Sequence, residues 1–368
     1  MLIKAAVARA VNELAIEEIH LDPPGPREAL VRMRAAGVCH SDLHTFRGEL
    51  RATPPIVLGH EGAGVVEAVG PGVSRVRPGD VVAITWLPAC NSCPTCLSGR
   101  PTLCERLAST TLAGTMPDGT LRHRAQDGLA LKPYLSSATM AEYAVIHENG
   151  LVPVPEGVPF DVAAIVGCAV MTGVGAVLNQ AQVRPGSSAA VIGCGGVGLS
   201  SVLGCRLAGC DPIIAVDVAS DKLDLARNLG ATHAVDSRQA DAVDLIRRIT
   251  GNGPDYAFDS VGIEATIALA LLCVRPDGTA VVMGMGAVKE EIAIPPAALV
   301  FGNRRLMGSF AGSGRPLSDL PRLMNLYRAG RLDLDALITR RYALADTRQA
   351  FDDLEAGRVA RGVIMIGD

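Results

Sequence analysis

Four cysteines, Cys90, Cys93, Cys96 and Cys104, crowd into the short stretch CNSCPTCLSGRPTLC. A loop with thiolates at these intervals can close tetrahedrally around one Zn²⁺ and leave no ligand position over, which makes a structural knot with no place for a substrate. Free thiols would instead need a core to bury them. The intervening Asn91, Ser92, Pro94, Thr95, Gly99 and Arg100 are loop residues that supply none. The quartet therefore marks a lobe of some larger protein and does no chemistry itself.

Length and charge narrow what that protein can be. At 368 residues the chain exceeds one ordinary core, so two domains are expected. Its net charge of -4, with both signs interspersed, leaves no electrostatic footprint for nucleic acid or a membrane surface, and small-molecule chemistry remains. Ten cysteines would suit a secreted disulfide scaffold only in a short chain. This one is long and Ala- and Gly-rich, and its N-terminus MLIKAAVARAVNEL has no sustained apolar core, so reduced thiols in a cytoplasm are expected. The uncharged stretch Val162 to Leu178 nearly reaches membrane-spanning length, but its glycines, Cys168 and Thr172 favour a buried element at a domain junction.

The first 150 or so residues carry short β-rich runs broken by Gly and Pro, such as ALVRMRAAGV, AGVVEAVG and DVVAITWL, as an antiparallel barrel or sandwich does. From about Pro185 strands alternate with helical patterns, from SAAVIG through IIAVDV and THAVD to YAFDSV and TAVVMGMG, the pattern of a doubly wound parallel sheet. The fold class expected is α/β, a Rossmann sheet beside a β-rich domain. At its first strand–helix junction stand Gly193, Cys194, Gly195, Gly196, Val197 and Gly198, a GxGxxG. In a chain of forty glycines such a string is weak by itself, but the preceding strand, the following helix and Asp217 at the end of the next strand supply its context. The turn would seat a pyrophosphate on the helix N-terminus. A carboxylate at Asp217 accepts hydrogen bonds from ribose hydroxyls and repels a 2′-phosphate, which favours NAD over NADP.

Three further segments hold metal-binding side chains: Cys39 in AGVCHSDLH, His60 in VLGHEGAG and Cys168 in IVGCAV. Singly, each has an ordinary explanation as core or satisfied polar group. Together they form a Cys2His set with a fourth position open, the ligand pattern of a catalytic zinc in alcohol dehydrogenases. The string Gly59-His60-Glu61-x2-Gly64-x5-Gly70-x2-Val73 resembles the zinc signature of the medium-chain alcohol dehydrogenases. Cys39, the quartet, Cys168, the glycine turn and Asp217 follow in that family's order, and the resemblance runs from the N-terminus to the last strand. The branches resembled are the horse-liver-type, the glutathione-dependent formaldehyde dehydrogenases and the bacterial nicotinoproteins.

This resemblance implies a discontinuous GroES-like catalytic domain over 1–169 and 313–368, an NAD-binding Rossmann domain over 170–312 and a substrate cleft between them. It implies two zinc ions per chain, NAD as cofactor, a small alcohol or aldehyde as substrate, and a homodimer or homotetramer with neither nucleic acid nor membrane as partner. By position Asp42 resembles the carboxylate that orients His60, and Glu61 lies near the metal. Ser41 matches the hydroxyl that meets the substrate alcohol, and His44 the outer end of a proton relay; its alternative is a solvated loop histidine. Thr172 and Val197 match contacts to the nicotinamide, Lys222 one to the adenosine ribose, and Arg361 an arginine on the pyrophosphate, with an exposed surface charge as the alternative. Trp86, Tyr134, Leu135 and Met285 match the substrate wall, with ordinary core as theirs. Cys194, Cys205, Cys210 and Cys273 fall in apolar patterns and read as inert core.

Two positions discriminate within the family. His40 stands where horse-liver-type members carry Arg against the pyrophosphate, as in the formaldehyde branch, and neutral imidazole would hold NADH less firmly. Ala108 stands where that same branch places the Arg that binds the glutathione carboxylate. A hydrophobic primary alcohol, aromatic ones included, is thus the expected substrate, with hydroxymethylglutathione or a nicotinoprotein cycle as alternatives. A zinc-ribbon nucleic-acid module fails on the acidic charge balance. A non-catalytic NAD sensor is compatible with the fold, but the joint presence of Cys39, Ser41, Asp42, His60 and Cys168 argues against it.

Overall fold

A computed structural model describes residues 1–50, 52–238, 242–286 and 291–367. It divides into two compact units: Met1–Cys168 with Arg315–Gly330 and Ile338–Asp368, and Ala169–Gly314 with Arg331–Leu337. The tail is therefore not the single block 313–368 expected from the sequence. Arg331–Leu337 groups with the second unit, where Leu332, Leu334 and Leu337 are all buried.

The first unit holds two sheets. Leu2–Ala10, Glu13–Leu21, His123–Ala125, Ala130–Pro133 and Ile56–Val57 close a small barrel. Its interior is filled by Ile3, Val7, Ile19, Leu21, Met116 and Leu131, as the alternation of apolar residues along Leu2–Ala10 demands of strands with one buried face. The second sheet runs Leu151–Pro153, Val81–Ile84, Gly62–Val69, Glu28–Val38, Arg361–Met365 and Ile338–Ala343, with Tyr143–His147 also paired to Glu28–Val38. Arg361–Met365 lies antiparallel to Glu28–Val38 with Gly362 opposite Val38, so the C-terminal strand docks beside the strand that leads to Cys39.

The second unit is a six-stranded parallel sheet in the order His233–Asp236, Ile213–Asp217, Ala189–Ile192, Tyr256–Asp259, Thr279–Val282 and Arg305–Gly308. Ala189–Ile192 sits centrally with its successors on either side, the doubly wound arrangement whose strand ends form a nucleotide site. These strands read as continuous apolar runs because both faces are covered. The helical run Phe160–Gln180 has a mean hydropathy of 2.0, enough in length and composition for a membrane span, yet 89 % of that window is buried within the protein. Its apolar character is that of a core helix.

Candidate active site and metal centres

The quartet lobe is built locally. Cys93 caps the short helix Pro94–Leu97, its sulfur accepting from the Cys96 N–H at 3.4 Å. Cys90 Sγ accepts from the Cys93 N–H at 3.3 Å, and Cys104 Sγ from the Cys90 N–H at 3.4 Å. Backbone donors aimed at sulfur favour thiolates, and the four sulfurs lie within 4.8 Å of one another. Three of these cysteines are half-buried and Cys104 is buried. All four sulfurs converge and, among the described residues, no fifth donor joins them, so the set fits a closed zinc.

The second set is assembled from three distant segments. Cys39 follows the strand Glu28–Val38 and caps the helix His40–Phe46, His60 and Glu61 precede the strand Gly62–Val69, and Cys168 lies in the π-helical stretch Val166–Val170. Such irregular turns recur at functional sites. Cys39, His60, Glu61 and Cys168 are all buried, with one donor atom of each within 4.8 Å of the others. Gly37 makes this possible, since a Cβ there would stand 2.2 Å from Glu61 Oε2.

Asp42 orients the imidazole. Its Oδ2 lies 3.0 Å from His60 Nδ1 while its Oδ1 accepts the Gly59 N–H at 2.9 Å, so Nε2 is the ring nitrogen left for a metal. Burial opposes charge on His60, but Asp42 and Cys39 outweigh it and push its pKa well up. The hydrogen bond from Cys168 holds the Cys39 thiol well below its ordinary value, with His60 and Arg361 adding to the effect, and the same sharing pushes Cys168 up.

Arg361 is neither the surface charge nor free to serve the pyrophosphate alone. It is 3 % exposed and its Nη2 is hydrogen-bonded to Glu61 Oε2. Burial lifts the Glu61 carboxyl to about 7, against the pull of Arg361, and Glu61 Oε1 is buried without a hydrogen-bond partner among the described residues. Arg361 thus balances Glu61, leaving the Cys39 thiolate and a Cys168 thiol whose proton a divalent cation would displace. Two soft sulfurs and one imidazole nitrogen fit a catalytic Zn²⁺ with its fourth position open, and the Glu61 carboxylate lies beside that position.

Two aromatic rings wall this set. Tyr134 meets the His60 ring edge-on with centroids 5.4 Å apart, and Trp86 does so at 6.1 Å. Tyr134 is no mere wall. Its hydroxyl donates to the Ser41 carbonyl at 2.9 Å, a hydrogen bond that fixes the residue whose own hydroxyl lies 3.7 Å from Cys39 Sγ. Burial raises the Tyr134 pKa well above its ordinary value, so the phenol stays a donor. Leu135 is buried with φ 48°, while Met285 is 54 % exposed. Sequence reasoning missed the Tyr134–Ser41 bond and the Arg361–Glu61 pair, and it missed the contact of His44 Nδ1 with Glu49 Oε2. His40, its ring 6.1 Å from that of His44, is exposed.

In the second unit the helix Gly196–Ala208 begins at Gly195 with no side-chain cap, so its first N–H groups remain for an anion. Asp217 ends its strand as expected, but both of its oxygens are engaged locally: Oδ2 accepts from the Cys194 N–H at 2.6 Å and Oδ1 from the Ala219 N–H at 2.9 Å. It therefore braces the glycine turn. Ser260 Oγ donates to the Gly193 carbonyl at 2.8 Å and closes the turn from the neighbouring strand. Val197 opens the helix half-buried, Thr172 is buried, and Lys222 lies half-buried on the helix Ser220–Leu229. An uncapped helix start, a glycine turn and a carboxylate one strand away fit NAD. Cys194, Cys205, Cys210 and Cys273 are buried.

Two family models match this chain: alcohol dehydrogenase GroES-like domain over residues 25–156 and zinc-binding dehydrogenase over 196–329. The S-(hydroxymethyl)glutathione dehydrogenase of Paracoccus denitrificans is 38 % identical over 375 residues, covering 99 % of this chain and 100 % of that protein. The alcohol dehydrogenase class-3 of Myxine glutinosa is 38 % identical over 368 residues, covering 99 % and 97 %. Among solved structures, the benzyl alcohol dehydrogenase of Acinetobacter calcoaceticus is similar at a TM-score of 0.95 and 31 % identity over all of both chains.

Proposed function

The chain belongs to the zinc-binding alcohol dehydrogenase family, an NAD- and zinc-dependent oxidoreductase, and within that family we propose that it interconverts a hydrophobic primary alcohol, aromatic ones included, and its aldehyde. Trp86 and Tyr134 packed edge-on against His60 carry this reading. Two aromatic faces beside the open metal position favour an apolar, water-poor pocket, and burial there is worth about 25 cal/mol per Å² of apolar surface. Similarity to a benzyl alcohol dehydrogenase supports the same substrate class.

When bound, zinc lowers the pKa of the alcohol hydroxyl and NAD accepts the hydride. The residues of this chain do the rest. Cys39, His60 and Cys168 would hold the metal, with Asp42 fixing the His60 tautomer. Ser41, its backbone anchored by Tyr134, would take the hydroxyl proton and His44 would release it to water. Gly193 to Gly198 and Asp217 would hold the dinucleotide, and Thr172, Val197 and Lys222 would contact it. Imidazole at His40 grips phosphate less than a guanidinium would, so NAD should exchange freely. Retention of NAD through dialysis would instead identify a nicotinoprotein.

The full-length similarity to S-(hydroxymethyl)glutathione dehydrogenase favours a second reading, glutathione-dependent formaldehyde oxidation. Ala108, exposed and uncharged, weighs against it. The test is kcat/KM with NAD for benzyl alcohol, ethanol and hydroxymethylglutathione side by side. Benzyl alcohol is expected to lead; a lead of about tenfold or more for hydroxymethylglutathione would overturn the proposal.

We also propose a cytoplasmic homo-oligomer, a homodimer or homotetramer. The strand Arg305–Gly308 ends the parallel sheet with one edge unpaired among the described residues, and nearby Phe301 is 90 % exposed. An open edge beside an exposed aromatic suits a second copy.

A further inference from the structure

Where the helix His40–Phe46 ends, the chain turns back through Gly48, whose φ of 72° suits the left-handed turn, and the Glu49 N–H donates to the His44 carbonyl at 2.8 Å. This return delivers Glu49 Oε2 to His44 Nδ1. The neighbouring charges at this corner are otherwise engaged. Arg47 pairs with Glu355, and Arg348 pairs with Asp352 at 3.2 Å while lying over the Phe46 ring; His40 has its ring 6.1 Å away. Glu49 is thus the carboxylate presented to the His44 ring among the described residues.

A neutral imidazole has one N–H and one lone pair, and a carboxylate accepts only from the N–H. With Glu49 at Nδ1 the proton is held there and the lone pair is left on Nε2. We propose that Glu49 is a positioning residue for His44, keeping Nε2 ready to accept the proton that leaves the substrate alcohol through Ser41. The inference rests on the relay reading of Ser41 and His44 above. The proton gained at Nε2 is then lost to bulk water, to which the ring, with 26 % of its side chain exposed, has access.

The test uses the zinc-loaded full chain labelled with ¹⁵N-histidine, with the His44 signals assigned by their loss in His44→Gln. Without NAD and at a pH where the ring is neutral, native His44 should show the Nδ1–H tautomer. Glu49→Ala should shift it toward Nε2–H, and Glu49→Gln, whose amide oxygen still accepts a hydrogen bond, should retain it. In turnover, Glu49→Ala should lower kcat roughly two- to fivefold, as befits a partly exposed hydrogen bond, with KM for NAD and alcohol unchanged. Glu49→Gln should recover most of that loss, and Glu49→Ala should add nothing in a His44→Gln background. An identical tautomer in native and Glu49→Ala protein, or an undiminished Glu49→Ala effect without His44, would overturn the proposal. If the tautomer responds but His44→Gln leaves kcat intact, the relay reading falls, and with it any role for Glu49 in turnover.

Discussion

The two cysteine-rich centres of this protein are built in opposite ways. The quartet draws every ligand from one loop, lies half in solvent and is steadied by its own backbone N–H groups. The Cys39, His60 and Cys168 centre draws on a strand end, a strand start and a π-helical turn, is fully buried, and is braced by Asp42, Tyr134 and the Arg361–Glu61 pair. Zinc in the first is saturated by protein and can only hold a lobe together, whereas the second leaves one position for an oxygen ligand. A loop can specify a closed site by itself; an open site needs the surrounding fold to stop its donors from collapsing onto the metal.

Breaking one ligand in each centre should separate the roles most sharply. Cys168→Ser should leave the fold nearly intact and cut alcohol oxidation by about 10³-fold or more, roughly 4 kcal/mol of barrier. Cys93→Ser should cost a similar free energy, about 4 kcal/mol, but as stability, read as a lower Tm with activity kept at low temperature. Equal losses of Tm in the two variants would break the distinction.

The bracing offers a finer cut. Asp42→Asn leaves the ligands in place but weakens the acceptor at His60 Nδ1, so activity or zinc affinity should fall about 10- to 100-fold. The quartet's donors are four sulfurs with no ring nitrogen for a carboxylate to hold, and zinc bound there should survive dialysis unchanged in this variant.

How far each centre was legible follows from the same contrast. The quartet is written within a few consecutive residues, so its spacing identified it, and the glycine turn needed only the strand and helix beside it and Asp217 one strand on. Cys39, His60 and Cys168 became a set only through resemblance to a family, because no local periodicity links residues that far apart. Arg361 shows where reading stopped. Its partner Glu61 lies 300 residues earlier, and only the docking of Arg361–Met365 against Glu28–Val38 brings the two together. The barrel and its neighbouring sheet were legible as β-rich segments but not as two sheets, since register depends on pairings between strands distant in sequence. Tyr134 was legible as an aromatic near the site, whereas its hydrogen bond to a backbone carbonyl carries no sequence signal.

Acid should distinguish the centres through the scaffold. Asn149 donates to the Ala89 carbonyl, next to Cys90, at 2.8 Å, and its neighbour Glu148 fastens the same turn by accepting from Ser74 and Arg75 N–H groups and from Arg27. Burial opposes ionisation of Glu148, but these donors hold its carboxyl down at about 2, below the ordinary 4.5. A pKa depressed on folding means that the stabilisation is complete above pH 4.5 and is lost as pH falls from there toward 2. Glu148→Gln should lower stability at pH 7 by about 1–3 kcal/mol and flatten the acid loss of Tm. Unchanged acid sensitivity in this variant would move the effect to other carboxylates.

The division of labour between the centres is tested most directly by counting zinc per chain while measuring alcohol oxidation in native protein, Cys168→Ser and Cys93→Ser. Both ligand sets are complete, so native protein should carry two zinc ions and each variant one. Only the variant that keeps the quartet zinc alone should be inactive. A single zinc in fully active native protein, or turnover by Cys168→Ser with its one zinc in the quartet, would contradict the account.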